Sequence, residues 1–147
     1  MTHTGSLQVI GSTVQFTPGT DAEEPWLFDA DGSQRDGAVF DGAARFADGN
    51  SSFTYRFELP AGVTGGTLTL DIGNQFLVEA SGDGQRWRTV LTGSTTEQNL
   101  GNREERSLDL NALRGESRTL YVRVGDSKPT DGWGGWLARL TLELQTG

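Results

Sequence analysis

Apolar and polar residues alternate with a period of two along much of this chain. In "SFTYRFELP", Phe53, Tyr55, Phe57 and Leu59 fall on one face and Thr54, Arg56 and Glu58 on the other, the pattern of a half-buried strand. After the "AGVTGG" turn, "TLTLDIG" sets Leu68, Leu70 and Ile72 on one face, and "QFLVEAS" follows across Gly73 and Asn74, a short-turn signal. The runs "QRWRTVL", "RSLDLN", "RTLYVRVG" and "WLARLTLEL" carry the same patterning, with Leu120, Val122 and Val124 on one face of the third and Leu140, Leu142 and Leu144 on one face of the last. "LQVIG", "TVQFT" and "AVFDGAARFA" add weaker strand candidates, and Thr17 to Gly37 is the longest stretch without clear alternation. No ten residues keep a 3.6 period, so helix is expected only as a turn around "NALRG". Short strands that are apolar on one face bury it by stacking two sheets or closing a barrel. We expect an all-β, two-sheet antiparallel sandwich.

Composition fits that expectation. The 147 residues suit one domain, and 21 Gly against 4 Pro supply many tight turns. Residues 1–6, "MTHTGS", read as a disordered start and 7–147 as a single sandwich domain. The formal charge of −8 disfavours nucleic acid and anionic membranes as partners, because both carry the same sign. With no Cys, thiol catalysis, disulfides and Cys-based zinc sites are excluded. The single His is His3, so a nucleophilic triad has no imidazole base in the body of the domain. A pair of carboxylates could still hydrolyse a glycoside, but a small open sandwich gives such a pair little desolvation. We therefore expect no enzyme activity.

The run "VEASGDGQRWRTVL" resembles the S-x-DG-x-x-W-x-x-V pattern of discoidin-like (F5/8 type C) domains and other galactose-binding-like jelly rolls, through Ser81, Asp83, Gly84, Trp87 and Val90. "LYVRVGDSKPTDGWGGWLARLTLEL" is similar to the last two strands of carbohydrate-associated domains found beside glycoside hydrolases. "FTPGTDAEEPWLFDADGS" with "ARFADGNSSFTYRFELP" resembles their N-terminal half. The resemblance implies a jelly-roll carbohydrate-binding module, with a glycan and an enzyme domain of the parent protein as partners. It also implies a secreted protein whose signal peptide is missing from this sequence. The alternative is a structural or assembly sandwich without a glycan site. In such relatives a calcium ties the N-terminal segment to the last strand, which makes Asp21, Glu23, Glu24, Asp48 and Glu143 candidate ligands among the oxygen donors a hard cation needs.

Sugar binding needs an aromatic wall with a few placed polar groups. Trp133 and Trp26 are candidate platforms, and Arg45, Asn74, Gln75 and Asp131 candidate hydroxyl partners. The motif places Trp87 in the core, and Trp136, which leads into the last strand, is expected to be packed. For Trp133 in "DGWGGW" two readings stand: an exposed platform, or an indole plugging the sandwich end.

Overall fold

The computed structural model describes residues 13–36, 44–74, 76–93, 103–127 and 134–146. Their strands, in chain order, are β1 Thr13–Phe16, β2 Leu27–Asp29, β3 Gln34–Asp36, β4 Ala44–Asp48, β5 Ser52–Glu58, β6 Val63–Asn74, β7 Phe76–Ser81, β8 Arg88–Thr92, β9 Arg103–Asp109, β10 Thr119–Asp126 and β11 Gly134–Thr146. A 3-10 turn, Asp21–Glu23, and one short helix, α1 Leu110–Arg114, complete the described elements. The expected strand "LQVIG" and the N-terminal hexapeptide lie outside these residues.

The strands form two antiparallel sheets. One runs β3-β4-β11-β6-β9, with β1 also paired to β11; the other runs β2-β5-β10-β7-β8. From β4 to β7 the chain changes sheet at every step, and it does so again from β8 to β11. This corrects the expectation of a short turn at Gly73 and Asn74, which both belong to β6. β6 has β11 along one side, from Gly135↔Asn74 to Thr146↔Val63, and β9 along the other, so no edge is left for β7. The true hairpin in this region is β7–β8, across the Asp83-Gly84 turn.

Alternation works as the sequence indicates. Phe53, Tyr55 and Phe57 from β5, Leu120 and Val124 from β10, Phe76 and Val78 from β7, and Leu68, Leu70, Ile72, Leu140 and Leu142 from the facing sheet are fully enclosed in one apolar cluster. Each such side chain contributes roughly 1.5–3 kcal/mol through burial, which is what holds the two layers together. At one end α1 closes the core with Leu110 and Leu113. Asp109 caps that helix by accepting from Ala112 N–H at 3.1 Å, which favours a helical turn at "NALRG".

Candidate functional site

Because the odd positions of β5 and the even positions of β10 fill the core, the intervening residues stand on the outer face of the five-stranded sheet. Tyr121 lies opposite Arg56 on one side and Ser81 on the other, and Arg123 opposite Thr54 and Glu79. Opposed residues share a face, so these side chains form two neighbouring rows. Phe28 on the edge strand β2 joins them. It is 54% exposed and meets the Tyr121 ring edge-on at 5.3 Å between centroids. From the other side Trp87 meets Tyr121, also edge-on, at 6.2 Å. The result is a run of three aromatic rings across the sheet.

Charged groups interleave with the rings. The Arg123 guanidinium stacks 4.0 Å over the Trp87 ring and donates from Nε to Glu79 Oε1 at 2.9 Å. Arg56 lies 5.8 Å from the Tyr121 centroid and pairs with Glu58, which also accepts from the Thr119 hydroxyl. Each Arg is thus fixed by a carboxylate while its charge stands over a ring, a geometry worth about 0.5–1 kcal/mol at an exposed site. Chemically the face offers apolar ring surface beside fixed donors and acceptors, which is what a sugar requires.

The turn from Ser81 to Trp87 positions one end of this row. Ser81 Oγ accepts from Gly84 N–H at 2.8 Å and donates to Asp83 Oδ1 at 2.9 Å. Asp83 Oδ1 in turn accepts from Gln85 N–H at 2.8 Å and Arg86 N–H at 2.9 Å. Gly84 has φ of +76°, and a Cβ there would stand 3.1 Å from the nearest Tyr121 ring atom, so only glycine lets the turn press against that ring. These bonds favour the ionised carboxyl: the Arg86 N–H first, then the Gln85 N–H and the Ser81 hydroxyl, lower the Asp83 pKa to about 2. The turn's stabilisation is therefore complete above the ordinary carboxyl value and is lost as pH falls from that value through about 2. NMR titration of the Asp83 carboxyl carbon should show a midpoint near 2, with the amides of Gly82 to Trp87 loosening in the same window. A midpoint at the ordinary carboxyl value would show that the carboxylate does not hold the turn.

The residues proposed from sequence fare differently. Trp87 leaves the core for the outer face, because the turn ends before β8 and Tyr121 with Arg123 gives the indole a surface to lie on. Trp136 is packed, 5% exposed and stacked at 4.2 Å on Phe46. Trp26 is not an open platform: it stacks on Phe16 at 5.4 Å, nearly parallel, and seals an edge of the core. Arg45 is 5% exposed and committed to Glu23, so it is no hydroxyl partner. Asn74 pairs through its backbone strand with Gly135. Gln75, Asp131 and Trp133 lie outside the described residues.

The five proposed calcium ligands are not brought together. Glu23 is fully buried, and its two oxygens accept from Arg45 Nε at 3.0 and 3.1 Å, Arg45 Nη2 at 2.6 Å and the Tyr55 hydroxyl at 2.7 Å. Arg45 Nη1 also donates to Ser33 Oγ at 2.9 Å. Burial first, and Glu23 next, raise the Tyr55 pKa well above its ordinary value. Burial works against the Arg45 charge, but the hydrogen bonds and charge of Glu23, with help from Tyr55, leave its pKa raised. Asp21 holds Arg35 at 3.1 Å, with Glu24 3.8 Å from the same guanidinium. Asp48 lies opposite Gly134 at the start of β11, whereas Glu143 is nine residues further along that strand, about 30 Å away at strand rise. Among the described residues no group of three or more His, Cys, Asp or Glu could hold a metal.

The opposite face, on the six-stranded sheet, is polar. Gln15, Thr69, Asp71, Glu105, Arg139, Thr141 and Glu143 line a shallow groove of about 270 Å³ without an aromatic side chain. No protein-family model matches the chain, and no curated protein sequence matches it. Among solved structures, a family 35 carbohydrate binding module from Clostridium thermocellum superposes with a TM-score of 0.52 at 10% identity, covering 88% of this chain and 98% of that one. The chain shares the jelly-roll sandwich fold of that module. The exo-β-1,3-galactanase of Phanerochaete chrysosporium, solved with galactose, matches over 91% of the chain with a TM-score of 0.52 at 15% identity, and there the sandwich spans only 30% of the larger protein. The insecticidal crystal protein Cry2Aa shares it too, with a TM-score of 0.51 at 13% identity over 89% of this chain and 21% of its own. At these identities the likeness establishes the fold, and the function rests on the side chains.

Proposed function

We propose that the chain is a noncatalytic carbohydrate-binding module whose contact surface is the outer face of the five-stranded sheet, with Phe28, Tyr121 and Trp87 as the apolar wall and the Arg56–Glu58 and Arg123–Glu79 pairs as hydroxyl partners. The observation that carries this reading is the row of three rings with stacked guanidinium groups, standing on the solvent side of a sheet whose other side is core. A side chain kept on a sheet's polar face gains little from the fold; three aromatics there, with Tyr121 touching the other two, suit a ligand with flat apolar patches. The shared fold of the family 35 module supports the same reading, and the sandwich occupying one part of a galactanase supports a role in holding a neighbouring enzyme domain on its polymer. Isothermal titration of the whole chain against β-1,3-galactan and a panel of plant, fungal and bacterial polysaccharides tests it. Binding to at least one polymer is expected, and silence across the panel would overturn the proposal.

A structural calcium is a separate proposal, supported by the resemblance of the sequence to calcium-stiffened jelly rolls, while the five candidate carboxylates are not gathered into one site. A metal bound only by the native state stabilises it by mass action, so chelator should lower the melting temperature. Superimposable melts with and without chelator would remove calcium from the account.

A further inference from the structure

The turn that carries Trp87 has a second side. While Gly84 presses on Tyr121, residues Gly82, Asp83, Arg86 and Arg88 line an open pocket of about 380 Å³ together with Ser117. Ser117 fixes the pocket floor by donating to the Gly82 carbonyl at 2.8 Å. In a chain of net charge −8, the other arginines near the aromatic row and the buried network are held by carboxylates: Arg35, Arg45, Arg56 and Arg123 all sit in ion pairs. Arg86 and Arg88 are exposed and are in no ion pair among the described residues. Asp83 is the acid in the lining of that pocket, and its Oδ1 already accepts from three donors of its own turn. Two arginines therefore line the pocket against one carboxylate already engaged.

We propose that this pocket takes a carboxylate carried on the glycan, a uronate ring, with Arg86 and Arg88 as its partners; the inference rests on the reading of the adjoining aromatic row as a glycan face. Guanidinium forks match a carboxylate in shape and charge, and the pocket and the row share the Gly82 to Trp87 turn, so a sugar seated against Trp87 has the arginines on the far side of the same loop. The preference is for an acidic over a neutral polymer.

The test uses the whole chain and NMR detection of the arginine Nε–H groups, titrated with glucuronate, methyl glucoside and sodium sulfate in parallel, and of the Trp87 indole, titrated with a neutral galacto-oligosaccharide. Saturable shifts at Arg86 and Arg88 with glucuronate, absent with the neutral glycoside and weaker by about tenfold with sulfate, are expected, because the fork geometry suits the planar carboxylate. The double variant Arg86→Gln with Arg88→Gln should abolish them and leave the neutral oligosaccharide's effect on Trp87 intact. No shift with glucuronate while Trp87 responds to neutral sugar would overturn the pocket and leave the glycan face standing. Equal shifts with sulfate would reduce it to a general anion spot and overturn the uronate. Arginine shifts with Trp87 silent to both sugars would overturn the glycan face, and with it the assignment of the anion to a glycan.

Discussion

Replacing Glu23 by Ala is expected to lower the melting temperature by about 10 °C, because removing one partner of a buried ion pair costs about 3–5 kcal/mol and a chain of this size loses a few degrees per kcal/mol. The geometry explains the size. Glu23 has no exposure, and its carboxylate is the acceptor for three arginine contacts and the Tyr55 hydroxyl. Without it, the Arg45 guanidinium keeps Ser33 and the neighbouring Tyr55 but loses its carboxylate partner, and Tyr55, enclosed in the main cluster, loses the carboxylate acceptor for its hydroxyl. Removing both charges together should be milder. The pair Glu23→Leu with Arg45→Met is expected to recover at least half of the loss, since well-packed apolar groups avoid the desolvation that the ion pair must offset. Thermal and urea denaturation of the two variants beside the parent chain measure this directly. A single-variant loss under about 1 kcal/mol would show that the network is peripheral, because exposed pairs are worth no more than that.

Joint replacement of Phe28 and Trp87 by Ala is expected to weaken glycan binding about 10- to 100-fold, equivalent to roughly 1.4–2.8 kcal/mol, with a melting temperature only a few degrees lower. The two effects separate because Phe28 is more than half exposed and Trp87 gives up only an edge contact with Tyr121 and its stack with Arg123, worth about 1 kcal/mol. Thr69→Ala, in the polar groove of the opposite sheet, is the matched control and should leave retention unchanged. Affinity electrophoresis in a polymer the parent chain binds, run beside a thermal melt, reads both quantities. Unchanged retention of the double variant would move the contact surface off this sheet.

The strands were legible because burial on one face forces alternation, and "SFTYRFELP", "TLTLDIG" and "RTLYVRVG" each became the strand their pattern indicates. Topology was less so. Gly73 and Asn74 permit a hairpin, but only the competition of β9 and β11 for the edges of β6 shows that the chain must cross to the other sheet. The motif around Asp83 forms the β7–β8 turn, but the motif places its Trp in the core, because spacing alone does not say which side of the sheet the indole takes. The candidate site was mostly missed for a related reason: tryptophans and carboxylates on loops drew attention, whereas Tyr121 and Arg123 sat in plain alternation with Leu120, Val122 and Val124. An aromatic residue on the polar face of a strand was the available signal. Arg45 and Glu23, 22 positions apart, were assigned to different sites because no local pattern shows that two charges will meet inside the core.

The most direct measurement is NMR titration of the four tryptophan indoles, Trp26, Trp87, Trp133 and Trp136, with an oligosaccharide of a polymer the chain retains. If the outer face of the five-stranded sheet holds the sugar, the Trp87 signal shifts and saturates while those of Trp26 and Trp136, stacked on Phe16 and Phe46, stay in place. A shift confined to Trp133, with Trp87 unmoved, would contradict the account and put recognition on the "DGWGGW" segment.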